Sequence, residues 1–304
     1  MADSTLSSYW TAWNRFKAFH RDHNLPFPSL DLITLSAYIS HSHSVSSIRV
    51  PTIRAYLCGI SFFTKLTTGS PHPFTQHPQI TLQLKGLQRS EPSLPPTRLP
   101  LTIDILTACI QTIRSGYANQ HVSSTLESMF LLAFYGFLRC SEFTTTNSNF
   151  NPAIHPCLSD LSIHDENTIT FTIKQSKASQ FRKIPIYLFR LNSPISPYES
   201  LANHILYRQS IHALPSDPLF TNEHGTIATG TWFHHHLRQI LTISGFSAEN
   251  FSGHSFRIGA ASTAASRGLQ DHTIQLLGRW SSQAYQSYIR TNLPDIRAAH
   301  NALA

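Results

Sequence analysis

The sequence predicts a mainly α-helical protein with one small antiparallel β-sheet, arranged as an N-terminal helical module followed by a larger α+β module. Three observations predict it. Apolar residues recur at helical spacing through most of the 304 residues. One stretch, Thr168-Ile169-Thr170-Phe171-Thr172-Ile173, alternates with period 2 instead. Ser90 to Pro100 holds four prolines, which forbid helix and favour an extended linker over 91–100, between modules at 1–90 and 101–304.

The elements follow in order. Trp10, Trp13, Phe16 and Phe19 recur every three residues, as a core-facing stripe of a first helix does. Leu30 to Ile39 reads as a second helix. Pro51 opens a third, Ile53 to Thr67, which Gly69 ends, and Ile80 to Leu87 forms a fourth. Beyond the linker Thr102 caps a helix to about Ile113, and Ser123 to Phe137 is an apolar helix running into Arg139, with Ser141 as cap of the next. A small sheet spans Leu161 to Ile186, the strand returning in Lys183-Ile184-Pro185-Ile186-Tyr187 and Lys177 falling at the hairpin turn. Helices are expected at Pro197 to Ser210, Thr231 to Thr242, from His254, at Gln270 to Leu277, and around Tyr288.

Composition narrows the function classes. The net charge is +7, and the first 91 residues carry eight basic residues against four acidic ones. That balance suits a polyanionic partner, though it decides little alone. No apolar run approaches the roughly 20 residues of a membrane span, and Met-Ala-Asp-Ser-Thr-Leu lacks the layout of a secretory signal, so no membrane partner and an intracellular protein are expected. Cysteines 58, 109, 140 and 157 form no Cys-x-x-Cys pair, which argues against zinc and against disulfides. His234-His235-His236 invites a metal reading, but adjacent histidines on a helix diverge and no carboxylate neighbours them; no metal is expected. The absence of a glycine-rich phosphate loop removes most nucleotide-triphosphate chemistry, and no cofactor is expected.

The chemistry sits in the last fifth of the chain. Ser252-Gly253-His254-Ser255-Phe256-Arg257, then Leu276-Leu277-Gly278-Arg279-Trp280, then Gln286-Ser287-Tyr288-Ile289-Arg290 bring together a His, an Arg, an indole or second Arg, and a Tyr. A phenol of pKa about 10 becomes a nucleophile at neutral pH only beside positive charge or a base. Guanidinium groups match pairs of phosphoryl oxygens and never lose their proton, so such a set can attack a phosphodiester without a metal. His254 and Arg257, three apart at a helix start, project from one face, and Gly253 suits a tight entry turn. Upstream, Arg139 ends the apolar helix, with Glu142 placed to brace its guanidinium or to form an ordinary surface ion pair.

With these residues the chain resembles the tyrosine recombinases of the integrase and Cre type, and is similar especially to the Crypton and DIRS-like recombinases of eukaryotic mobile elements. The resemblance implies an N-terminal core-binding domain and an α+β catalytic domain, closing round double-stranded DNA as a clamp. It implies a site-specific recombinase that works through a 3′-phosphotyrosyl intermediate in integration or excision, as a homotetramer pairing two sites through a Holliday junction, in the nucleus if the host is eukaryotic. Tyr288 would be the nucleophile rather than Tyr285, Arg139, His254 and Arg257 the phosphate-stabilising set, and Lys177 the acid that protonates the leaving 5′-oxygen. Lys174 and Lys183 would contact backbone phosphates, either being an alternative acid. The family's His or Trp position falls by count on Arg279, with Trp280 next to it and favoured. Arg49 and Arg54, near the start of the third helix, would contact DNA. A type IB topoisomerase activity and a catalytically inactive DNA-binding descendant are the alternatives.

Overall fold

The structure, a computed structural model, describes residues 3–69, 77–92, 98–175 and 183–290, with positions 297 and 301. The chain divides into two compact units, Met1–Pro95 and Pro96–Ala304. Lys177, expected at the hairpin turn, lies outside the described residues.

The first unit holds α1 (Asp3–Asp22), α2 (Leu32–Ser44), α3 (Val50–Thr68) and α4 (Pro78–Ser90). Its core is built from Phe16, Leu35, Tyr38, Ile39, Ile53, Ile60 and Ile80. The expected aromatic stripe is only partly core: Phe16 and Phe19 are buried, whereas Trp10 is 54% exposed and lies edge-on to Phe63. Spacing by three drifts round a helix of 3.6 residues per turn, so one end of the stripe leaves the buried face. Helix α1 lies against α3 so closely that a Cβ on Gly59 would stand 2.9 Å from the Tyr9 Cα. Helix α2 starts later than expected, because Asp31 is its cap and accepts from the Thr34 N–H at 2.9 Å. Gly69 ends α3 in the left-handed conformation.

The second unit contains α5 (Ile103–Arg114), α6 (Gln120–Tyr135), α7 (Cys140–Phe143), β1 (Leu161–Ile163), β2 (Thr168–Ile173), β3 (Ile184–Phe189), α8 (Pro197–Ser210), α9 (Gly230–Ile243), α10 (Gly253–Ser266), α11 (Asp271–Leu277) and a 3-10 helix, Gln283–Tyr288. The strands form one antiparallel sheet in the order β1-β2-β3, with Phe171 opposite Leu161 and Ile186. Ile169, Phe171 and Ile173 turn one face of β2 into the core. Helix α6 is apolar all round at its end and packs on α8 and α10, as the core helix of an α+β unit must.

Two expectations are corrected here. Part of the predicted linker is fixed: the Leu99 N–H donates to the Asn250 carbonyl and the Leu101 N–H to that of Ser255, both at 2.9 Å. The Leu101 carbonyl then lies 1.7 Å from where a Cβ on Gly259 would be, so α10 needs glycine there. Arg139 rather than Ser141 is the cap of α7: the Arg139 N–H donates to Glu142 Oε2 at 2.9 Å, and Ser141 falls inside the helix.

Candidate catalytic site

Three segments of the second unit meet at one place. The turn Gly136–Arg139 leaves α6, with Phe137 at φ 50°. The first turns of α10 carry His254 and Arg257. The stretch from Gly278 to Tyr288 closes over them.

Arg257 is the centre. It is fully buried and donates through its two terminal nitrogens to the Phe137 and Gly278 carbonyls, which ties the first segment to the third. Burial first, and then the nearby charges of Arg139 and Arg279, pull its pKa down to about 10, which still leaves it protonated at neutral pH. The Trp280 ring lies against this guanidinium, its centroid 4.2 Å from the guanidinium carbon. The same ring is 5.0 Å from that of Tyr288, and the His254 ring lies 5.0 Å from Tyr288 as well.

Glu142, 3% exposed, is not a surface ion pair. Its Oε1 accepts from Arg139 at 2.9 Å and its Oε2 from Arg279 at 3.2 Å. One carboxylate therefore braces two guanidiniums. Arg279 also donates to the Gly136 carbonyl at 2.8 Å and that of Phe137 at 3.2 Å, so it holds the Arg139 turn in shape.

The tail of the site hangs from α10. The Ser262 hydroxyl donates to the Tyr288 carbonyl at 3.2 Å and accepts the Arg290 N–H at 2.9 Å. Tyr288 is half-buried at the end of a 3-10 helix, where an α-helix was expected; the Ser282 hydroxyl caps that helix by accepting from the Ala284 N–H. Tyr285 is buried at 4% exposure, its ring 6.3 Å from that of Trp280, and donates to Asp271 at 2.9 Å.

Electrostatics favour a neutral imidazole. Burial and the charges of Arg257, Arg139, Arg98 and Arg290 hold His254 below its ordinary value. Among the described residues, two buried donors in the cluster, Arg257 Nε and the Trp280 indole nitrogen, have no partner. A buried N–H without an acceptor is costly and rare.

Gly253 serves close packing rather than a turn. A Cβ there would stand 2.8 Å from that of Cys140, and its N–H donates to His234 Nε2 at 2.9 Å. His234 is thereby engaged by backbone, and among the described residues no group of His, Cys, Asp and Glu could hold a metal. All four cysteines are free.

Lys174, expected to contact phosphates, is enclosed. Its ammonium pairs with Asp160 at 2.7 Å and donates to the Pro152 and His155 carbonyls and to Cys157 Sγ. Burial works against its charge, but Asp160 and Cys157 outweigh it and raise its pKa. Lys183 is exposed at the start of β3, as are Arg49 and Arg54 at the start of α3. Arg49 caps α3 without a side-chain bond, leaving its guanidinium outside the cap. Sequence reasoning missed Asp160, Ser262 and Gly259; Asp160 had a signal, a carboxylate that caps its own 3-10 turn by accepting the Cys157 N–H at 2.7 Å.

No helix among the described residues is long and apolar enough to cross a membrane. No protein-family model and no curated protein matches the chain. Solved structures do. The XerH site-specific recombinase bound to a palindromic difH substrate, in a post-cleavage complex, matches with TM-score 0.66 at 15% identity, over 97% of this chain and 78% of that one. The Tn1549 transposon integrase in complex with transposon right end DNA matches with TM-score 0.59 at 13% identity, over 98% and 99%. A lambda integrase dimer bound to a COC′ core site matches with TM-score 0.59 at 15% identity, over 95% and 89%. The mainly helical chain with its three-stranded antiparallel sheet has the fold of these proteins.

Proposed function

We propose that the chain is a tyrosine recombinase, a DNA strand transferase in which Tyr288 is the nucleophile. The observation that carries the reading is the convergence of Arg257, His254 and Trp280 on Tyr288, with two buried donors that lack an acceptor among the described residues. Tyr288 Oη attacks the scissile phosphorus, the bond to the 5′-oxygen breaks, and a 3′-phosphotyrosyl ester forms. His254, neutral at pH 7, accepts the phenolic proton. Arg139, Arg257 and the Trp280 indole N–H stabilise the charge that gathers on the non-bridging oxygens. A lysine between β2 and β3, Lys177, gives its proton to the departing 5′-oxygen, which leaves as the 5′-hydroxyl. Because the ester bond is kept, resealing needs no cofactor.

Arg49, Arg54 and Lys183 supply contacts along the phosphate backbone. The biological setting is a mobile element that integrates or excises at a specific site. A homotetramer on two duplexes, passing through a Holliday junction, completes strand exchange.

The test is a nicked duplex that traps the covalent complex. In EDTA the wild-type chain should give an adduct that survives SDS, and Tyr288→Phe should give none. An adduct in that variant would transfer the role to another residue. Relaxation of supercoils without exchange products would make the activity that of a topoisomerase, and duplex binding without any adduct that of an inactive descendant.

A further inference from the structure

Next to the site is a cavity of about 700 Å³ whose wall includes Arg98, His234, His235, Arg238 and His254 but no acidic residue. Arg98 and Arg238 are exposed, and among the described residues neither forms an ion pair. Two unopposed guanidiniums in one concavity raise its potential and draw anions.

Arg98 owes its place to the docked end of the linker. The hydrogen bonds of Leu99 to Asn250 and of Leu101 to Ser255 hold the chain at the head of α10. Burial and the charges of Arg98 and Arg238 lower the pKa of His234, and Arg98 acts on His254 as well, so Arg98 lies within electrostatic reach of both imidazoles. The backbone N–H groups at the start of α10 are already occupied: that of Gly253 donates to His234 and that of His254 to the Ser252 hydroxyl. An anion entering the cavity therefore meets side chains rather than a free helix end.

His254 belongs both to the cavity wall and to the Tyr288 cluster. Whatever fills the cavity is continuous with whatever Tyr288 attacks. We propose that the cavity seats the phosphate adjacent to the scissile one on the cleaved strand, with Arg98 and Arg238 as its clamps. This rests on the strand-transferase reading above. Anchoring that neighbour fixes the strand in register, which places the scissile phosphorus against Tyr288; the two arginines are positioning residues.

The experiment measures duplex affinity against salt, together with adduct formation, for wild type, Arg98→Ala, Arg238→Ala, the double variant and the two lysine replacements. Substrates carry a neutral methylphosphonate at the phosphate on either side of the cut. Each alanine variant should weaken binding about tenfold at 0.1 M salt and reduce the log–log salt slope by about 0.9, while lysine retains the slope. Methylphosphonate at one flanking position should weaken the wild type as much and leave the double variant no weaker. Unchanged slopes, or losses from arginine and methylphosphonate that add at both positions, would overturn the proposal. If these slopes hold but the wild type forms no adduct, the strand-transferase reading fails and the cavity stands as a phosphate seat on a bound duplex. If adduct forms with unchanged slopes, the seat alone fails.

Discussion

The Arg257 guanidinium carbon stands 4.2 Å from the centre of the Trp280 ring, and the indole N–H of that ring has no partner among the described residues. The aromatic face supports a charge that burial would otherwise penalise, an interaction of about 2 kcal/mol when desolvated. The same residue offers a donor that the described residues leave unused. Packing and chemistry can be separated by substitution.

Trp280→Phe keeps most of the ring and should cost less than about 1.5 kcal/mol of stability, while cleavage of a trapped substrate falls by about 10- to 100-fold. Trp280→Ala removes the support as well and should cost about 3–5 kcal/mol. Urea unfolding and single-turnover cleavage read the two effects. Equal rates for wild type and the Phe variant would remove the indole N–H from the chemistry.

Gly259→Ala should destabilise the second unit by more than about 3 kcal/mol, because the added methyl meets the Leu101 carbonyl at 1.7 Å and backbone must move. Gly86→Ala, where a Cβ meets nothing within 4 Å, should stabilise α4 by about 1 kcal/mol. Thermal melts of the two variants should shift in opposite directions.

Lys174→Ala leaves Asp160 buried without its cation and should cost about 3–5 kcal/mol. The salt slope of duplex binding should not change, since the ammonium is spent inside the unit. A reduced slope with normal stability would return Lys174 to the DNA.

Acid should loosen the second unit. His204 is fully buried, and burial lowers its pKa from 6.5 to about 4. Its folded value lies below the unfolded one, so the unfolded chain takes up the proton first. The contribution is complete above about pH 6.5 and is lost as pH falls towards 4, reaching on the order of 3 kcal/mol. His234 and His254, also held low, act in the same direction. Unfolding midpoints at pH 7 and pH 5 should differ accordingly, and His204→Gln should flatten the dependence.

What could be read from the sequence was what depends on near neighbours. The alternation from Thr168 to Ile173 became β2 with its apolar face inward, and Pro197 to Ser210 became α8 without a shift. Where a cap decided a boundary, as Asp31 and Asn119 do for α2 and α6, the helix began at the cap and not at the first apolar residue. Contacts distant along the chain left no trace. Lys174 carries no mark of Asp160, nor Gly259 of the Leu101 carbonyl that forbids it a side chain. Between the helix read to Leu277 and the one read around Tyr288, Arg279 at φ 56° makes a turn and the Ser282 cap starts a 3-10 helix, in which Tyr285 and Tyr288, three apart, both bring their rings towards Trp280.

A single hydroxyl, that of Ser262, fastens the main chain at positions 288 and 290 to the helix that bears His254 and Arg257. Tyr288 and the His254–Arg257 pair, proposed as nucleophile and activators, thus travel as one piece of the same polypeptide. Mixing a Tyr288→Phe chain with an Arg257→Ala chain would pair two dead centres rather than restore a live one, whatever their assembly. Loosening that knot with Ser262→Ala is the change that would let one copy lend its tyrosine to another.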